Sequence, residues 1–135
     1  MALPTVPMPD AEAVTIGVLA PLRDAGVTLG SQWPEHLAER LPVVAVSLGG
    51  GGTRLRAVTV DRTVDIDVLA ADKGTAFDLA AEVSARLIAA QGTTQPGARI
   101  YSVTETSLVW LPDETTGIAR YVLVMSLVLR PAAGT

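Results

Sequence analysis

Residues 61–72, DRTVDIDVLAAD, alternate strictly. Val64, Ile66 and Val68 fall on one side of an extended chain, and Thr63, Asp65 and Asp67 on the other. Period-two alternation marks a strand with one buried face. The next residues, KGTAFDLAAEVSARLIAAQ, switch to helical spacing. Asp72 is placed as the cap of a helix over about 73–91. Ala76, Leu79, Ala80, Val83 and Leu87 form its buried stripe and Asp78, Glu82 and Arg86 its wet face. Glu82 and Arg86 stand at a favourable i,i+4 spacing, and Gly92 ends the helix.

The remaining elements follow from the same reading. Residues 1–9 hold three prolines and predict an extended arm. Asp10 caps a helix running to about Ala25, with a stripe of Val14, Val18 and Leu22 flanked by Ile16 and Leu19. Pro21 lies inside it and predicts a kink or early stop, because it removes a backbone donor and crowds the carbonyl of Gly17. A short strand near Val27 and an irregular stretch precede PVVAVSL (42–48), a continuous apolar run that reads as a buried strand. GGGGTR (49–54) reads as a flexible loop. A long strand is expected from Leu55 to Ala71, with a bulge near Asp61. Strands over Ala98–Leu111 and Ile118–Arg130, joined by PDETTG, predict an antiparallel hairpin with a loop of about six residues. The tail 131–135 is expected to fray. The sum is one α+β domain over 10–130, with a mostly antiparallel sheet of four to five strands and two helices packed on one face.

The last strand complicates this plan. Tyr121, Leu123, Met125, Leu127 and Leu129 share one face, while Val122, Val124 and Val128, interrupted by Ser126, occupy the other. Both faces then need cover. Helices supply one; a partner subunit or the long connection at 26–41 must supply the other.

Composition narrows the function. The chain has 135 residues, 49% hydrophobic and 18% charged, which suits a single folded domain. Aromatic residues make up 4%, leaving Ala, Val and Leu to fill the core. A net charge of −4 argues against tight nucleic-acid binding. With no cysteine, disulfides, zinc thiolates and thiol catalysis are excluded. The N-terminus lacks the basic and apolar regions of a signal peptide, and no apolar run reaches the roughly 20 residues of a membrane helix. A soluble intracellular protein, or part of an assembly built there, is expected.

The candidate chemistry is thin. Asp65 and Asp67 share a strand face about 7 Å apart and are open to three readings: a metal site, a catalytic pair or a wet or inter-subunit surface. A metal needs further ligands converging there, and an acid–base pair needs a pocket that splits its pKa values. GGGGTR leads into a strand and lacks the lysine of a phosphate-binding loop, so a hairpin loop tipped by Arg54 and Arg56 is the simpler reading. His36, the one histidine, has no serine elbow or second histidine beside it. Trp33 and Trp110 are expected as core or interface anchors.

The layout resembles the tail terminator (tail completion) proteins of long-tailed phages that infect actinobacteria. The pieces that carry the likeness are the "ALP" start, DAEAVTIGVLAPL, LPVVAVSLGGGG, DRTVDIDVLAADKGTAFDLAAEVSARLIA and SLVWLPDETTGIARYVLVMSLVLRP. Where an aromatic is common in that family, this chain has Val68, Leu69 and Ala70. The resemblance implies a non-enzymatic protein with no catalytic residue, no cofactor and no metal. It implies a ring, typically a hexamer, that caps the tail tube in the neck region of the virion, ends tube polymerisation and offers the head connector or stopper a joining surface. DNA would pass through without specific binding. Six copies carry a charge of roughly −24, which repels DNA from the channel wall. Its partners are further copies, the tail tube protein and the connector, with no membrane. On this view Arg54, Arg56, Asp65, Asp67, Asp113, Glu114, Val122, Val124 and Val128 are the candidate subunit or channel contacts. Two alternatives stand beside it: another neck component, such as a head-tail stopper or adaptor, and a small cytosolic α/β ligand-binding or enzymatic dimer with Asp65, Asp67 or His36 in a pocket.

Overall fold

A computed structural model describes residues 5–50, 54–55 and 58–132. The first helix, α1 (Ala11–Leu19), is built from residues with little intrinsic helical preference, including Val14, Thr15, Ile16, Gly17 and Val18. Its cap and its packing hold it instead. Asp10 accepts hydrogen bonds from the N–H groups of Glu12 and Ala13 at 3.0 and 3.2 Å. At Leu19 the helix tightens into a 3₁₀ turn over Ala20–Ala25 with Pro21 in its first turn, the break that Pro21 predicts. The buried stripe is Ala11, Val14, Thr15, Leu19 and Leu22, an i, i+3/i+4 row that takes Leu19 rather than Val18. Val18, expected inside, is half-buried. Gly26 ends the turn with φ of 88°, a conformation suited to glycine.

The sheet is larger than the four to five strands expected. Its path is β1 (Thr28–Gly30), β2 (Val43–Leu48), β4 (Thr59–Ala70), β7 (Ala119–Pro131), β6 (Ala98–Trp110) and β5 (Thr94–Gln95), while β3 (Arg54–Leu55) pairs with β4 beside that path, making seven strands among the described residues. The sheet is mostly antiparallel, with β1 and β2 parallel. The extra strands β3 and β5 are two residues each, too short to leave a periodic signal. β3 also corrects the long strand expected from Leu55: Leu55 pairs back with Thr59, so the chain reverses before β4 begins. Residues 51–53 of the glycine loop lie outside the described residues, as does Arg56.

The expected bulge near Asp61 is not there. β4 and β7 pair without interruption from Val60 opposite Leu129 to Ala70 opposite Ala119. The bulges are on β6, between Ile100 and Ser102 and between Glu105 and Ser107. Their cause is readable in β6 itself, ARIYSVTETSLVW. Ala98 and Ile100 are in phase with Leu108 and Trp110, but Val103 between them is out of phase. One extra residue at each bulge brings Val103 onto the inner face and then restores the original phase.

The second helix, α2 (Lys73–Ala89), follows its expected stripe, burying Ala76, Leu79, Ala80, Val83, Ser84 and Leu87. Thr75 donates its N–H to Asp72 at 2.8 Å and its hydroxyl at 3.0 Å. Glu82 and Arg86 form the expected pair at 3.3 Å. Both helices lie on one face of the sheet. There Val44, Val46, Val64, Ile66, Val68, Leu123, Met125, Leu127 and Leu129 meet α1 and α2 in a single core. The largest fully buried side chains are Leu, Ile, Met and Val, so the core is aliphatic. Trp110 sits at its margin, 5.2 Å from the Tyr121 ring and with the Lys73 ammonium 4.7 Å above it. Among the described residues no helix is long and apolar enough to cross a membrane.

Candidate interaction surface

The opposite face of the sheet is where the candidate residues collect. Odd-numbered residues of β4 and even-numbered residues of β7 point to it, because Asp65 pairs with Val124, Asp67 with Val122 and Asp61 with Val128. The result is a row of carboxylates alongside a row of valines. Val122, Val124, Ser126 and Val128 are half-buried, whereas their neighbours Leu123, Met125, Leu127 and Leu129 on the helix side are fully buried.

One end of this outer face is covered from within the chain. Trp33 Nε1–H donates to Asp67 Oδ2 at 2.8 Å, and the Arg120 guanidinium lies 5.3 Å over the Trp33 ring. Val43 and Leu69 pair with one another on this side and are buried, although no helix lies over them. Trp33, hydrogen-bonded to Asp67 two residues before Leu69, brings the 31–41 connection to this side of the sheet. Of the two sources of cover expected for the last strand, the long connection meets it at the Asp67 end through Trp33, and the Val124–Val128 end is left without that cover. Trp33 anchors the connection to the sheet through a carboxylate, a role that spacing could not reveal because 34 residues separate the two.

Asp65 stands on the open part. Its Oδ1 would lie 3.1 Å from a Cβ at position 49, and Thr63 O is equally close, so Gly49 lets the chain pass tightly over β4. Gly49 N–H donates to Thr63 O at 2.7 Å there. Arg54 reaches across to the N-terminal arm, where its guanidinium donates to the carbonyl of Val6. Met8 of that arm packs against the core.

Asp113 and Glu114 are elsewhere, at the tip joining β6 and β7. Asp113 organises that tip: it accepts from the N–H of Thr116 at 3.0 Å and from the Thr116 hydroxyl. The hydroxyl, then the N–H, and the nearby Arg120 charge hold the Asp113 carboxyl below its ordinary pKa. The N–H and hydroxyl of Thr75 do the same for Asp72. Beside the hairpin tip is an open depression of about 370 Å³ lined by His36, Leu37, Ala38, Glu39, Thr116 and Ile118. Neither Asp65 nor Asp67 lines it, so the structure does not gather His36 and the two aspartates into one site. Among the described residues no three His, Cys, Asp or Glu side chains cluster to hold a metal.

No residue spacing pointed to the opposite end of the outer face, where β6 and β7 place Arg99 directly across from Arg130. Tyr101, at the first bulge, has its ring 5.9 Å from the Arg99 guanidinium and 5.1 Å from that of Arg130. The bulge breaks the alternation of β6, so the sequence alone does not bring these three together.

No protein-family model matches the chain, and no curated protein matches it. A solved structure does. A chain from the structure described as "Virion of native gene transfer agent (GTA) particle" superposes with a TM-score of 0.65 over 92% of this chain and 100% of that one, at 19% identity. The two chains share a fold. Coverage of this extent makes the likeness one of overall architecture rather than of a local motif.

Proposed function

We propose that this protein is a structural subunit of a phage-like virion and, within it, a tail terminator: a ring on the end of the tail tube that stops polymerisation and presents a joining surface to the head connector. The observation that carries the reading is the fold shared, over 92% of this chain, with a chain of a gene transfer agent virion. It agrees with the resemblance of the sequence to tail terminators, and with a sheet whose second face is half covered. The protein acts through surfaces rather than bond chemistry. Val122, Val124 and Val128 give an apolar contact strip, Asp61 and Asp65 a negative margin, and Arg54, Arg56, Asp113 and Glu114 contacts at the loops. In a ring the chain's net charge of −4 keeps DNA from adhering to the channel.

Particles purified from the strain that encodes this chain provide the test, with the subunit tagged and imaged by electron microscopy, and native mass spectrometry of the isolated protein beside it. The expected result is label at the end of the tail tube and a closed ring. Deleting the gene should give tubes of uncontrolled length lacking heads. Label next to the portal with tail length unchanged would replace the terminator by a stopper or adaptor. A discrete dimer absent from every particle would overturn the virion reading.

A further inference from the structure

Arg99 and Arg130 face each other across β6 and β7, an arrangement in which like charges repel. Two features hold them there. The Tyr101 ring attracts both guanidiniums through its π face. Arg99 Nη1 also donates to Thr94 Oγ1 at 3.3 Å. Neither arginine has a carboxylate partner: among the described residues the one ion pair is Arg86 with Glu82. Arg130 Nε is buried and makes no hydrogen bond. The cluster is a pair of cations steered to one place without an anion among the described residues.

The same face carries the complement. Asp61 and Asp65 lie on β4, where neither forms an ion pair among the described residues. Asp67 is engaged by Trp33. Asp61 pairs with Val128 and so lies near the Arg130 end of the sheet, within diagonal reach of that side chain. Arg130 is nevertheless turned away from it, toward Tyr101. Between β4 and β6 runs β7 with Val124 and Val128, so an acidic margin and a basic one flank an apolar strip.

We infer that the Arg99–Tyr101–Arg130 cluster of one copy docks the Asp61–Asp65 stretch of another, and that this charge pairing is the contact along which copies assemble. The inference rests on the proposed self-assembling role and names the surfaces that carry it. A second copy suits the cluster better than DNA, because phosphates approaching this face meet Asp61, Asp65 and Asp67 and a chain of net charge −4. The valine strip is covered in the same contact, and the arginines then gain hydrogen-bonded carboxylates.

Complementary charge reversal tests it. One variant carries Arg99→Glu and Arg130→Glu, the other Asp61→Arg and Asp65→Arg, each checked for an unchanged circular-dichroism spectrum. Arg99→Gln with Arg130→Gln serves as a milder version should reversal disturb folding. Each reversal variant alone should need at least roughly tenfold more protein for half-assembly, as expected for truncated charge pairs at an interface. Mixing the two should restore assembly, with the variants alternating, and added salt should weaken assembly of the original chain. Assembly of either reversal variant at the original concentration, or no rescue on mixing, overturns the contact while leaving the virion role standing. Rescue in a body that is absent from the tube end keeps the contact and removes the terminator role. An original chain that never self-associates removes both.

Discussion

The two faces of the sheet are built from the same strands and behave as different materials. On the helix side, Ile66, Leu123, Met125 and Leu127 are wholly removed from water and packed against α1 and α2. One residue along on β7, Val122, Val124 and Val128 are equally apolar but half-buried, beside carboxylates on β4. The inner face is specified by burial within the chain. The outer face is only partly so: Trp33 closes one end and leaves the other for something outside the chain. Hydrophobicity on both sides of a strand thus has two meanings in one molecule, and position relative to the helices decides between them.

Substitutions sharpen this contrast. Leu123→Ala should have the largest effect, destabilising the monomer by about 2–5 kcal/mol through lost burial and the cavity left behind, read by urea denaturation. A cost below about 1 kcal/mol would mean that the inner face is not the core. Trp33→Phe keeps a ring but removes the donor to Asp67; a loss of about 1 kcal/mol is expected, together with greater hydrogen exchange across 31–41. Val124→Ser should change monomer stability by only about 0.5 kcal/mol, yet impair assembly, because its cover comes from outside. A large monomer effect there would show that the outer strip belongs to the core.

The smallest expected effect is on pH. The Asp72 and Asp113 carboxyls are held below the ordinary value of 3.8 in the folded protein. A depressed folded value stabilises above the unfolded one and loses that contribution as pH falls through the folded one. Stability should therefore be flat with respect to these groups from neutral pH down to about 4 and decline below it. Asp113→Asn should make the acid limb of a denaturation profile shallower, since its link through Thr116 no longer titrates.

How much of this was legible beforehand differs by region. β4 and α2 were readable because an uninterrupted register and a capped stripe are local properties: Val64, Ile66 and Val68 alternate, and Asp72 precedes Thr75 by three residues. In α1 the buried row passes through Thr15 and Leu19 rather than Val18, because apolar residues lie on several sides of this helix and packing against the sheet selects the row. The sequence predicts one bulge, on β4 near Asp61; the two bulges lie instead on β6, where apolar spacing slips phase at Val103. The candidate contacts on β4 and β7 were visible as an apolar second face. Arg99, Tyr101 and Arg130 were not.

The sequence by itself determined the periodic elements, the caps, the aliphatic core and the excess of apolar surface on the last strand, because each rests on residues a few positions apart. Only the tertiary structure decided the rest. It set seven strands among the described residues in place of four to five, the sharing of the outer face between Trp33 and open valines, and the meeting of two arginines over one tyrosine. Those depend on which strands lie side by side and on one-residue shifts of register. Such shifts are chosen by burial summed over the whole sheet, a quantity no short window of sequence contains.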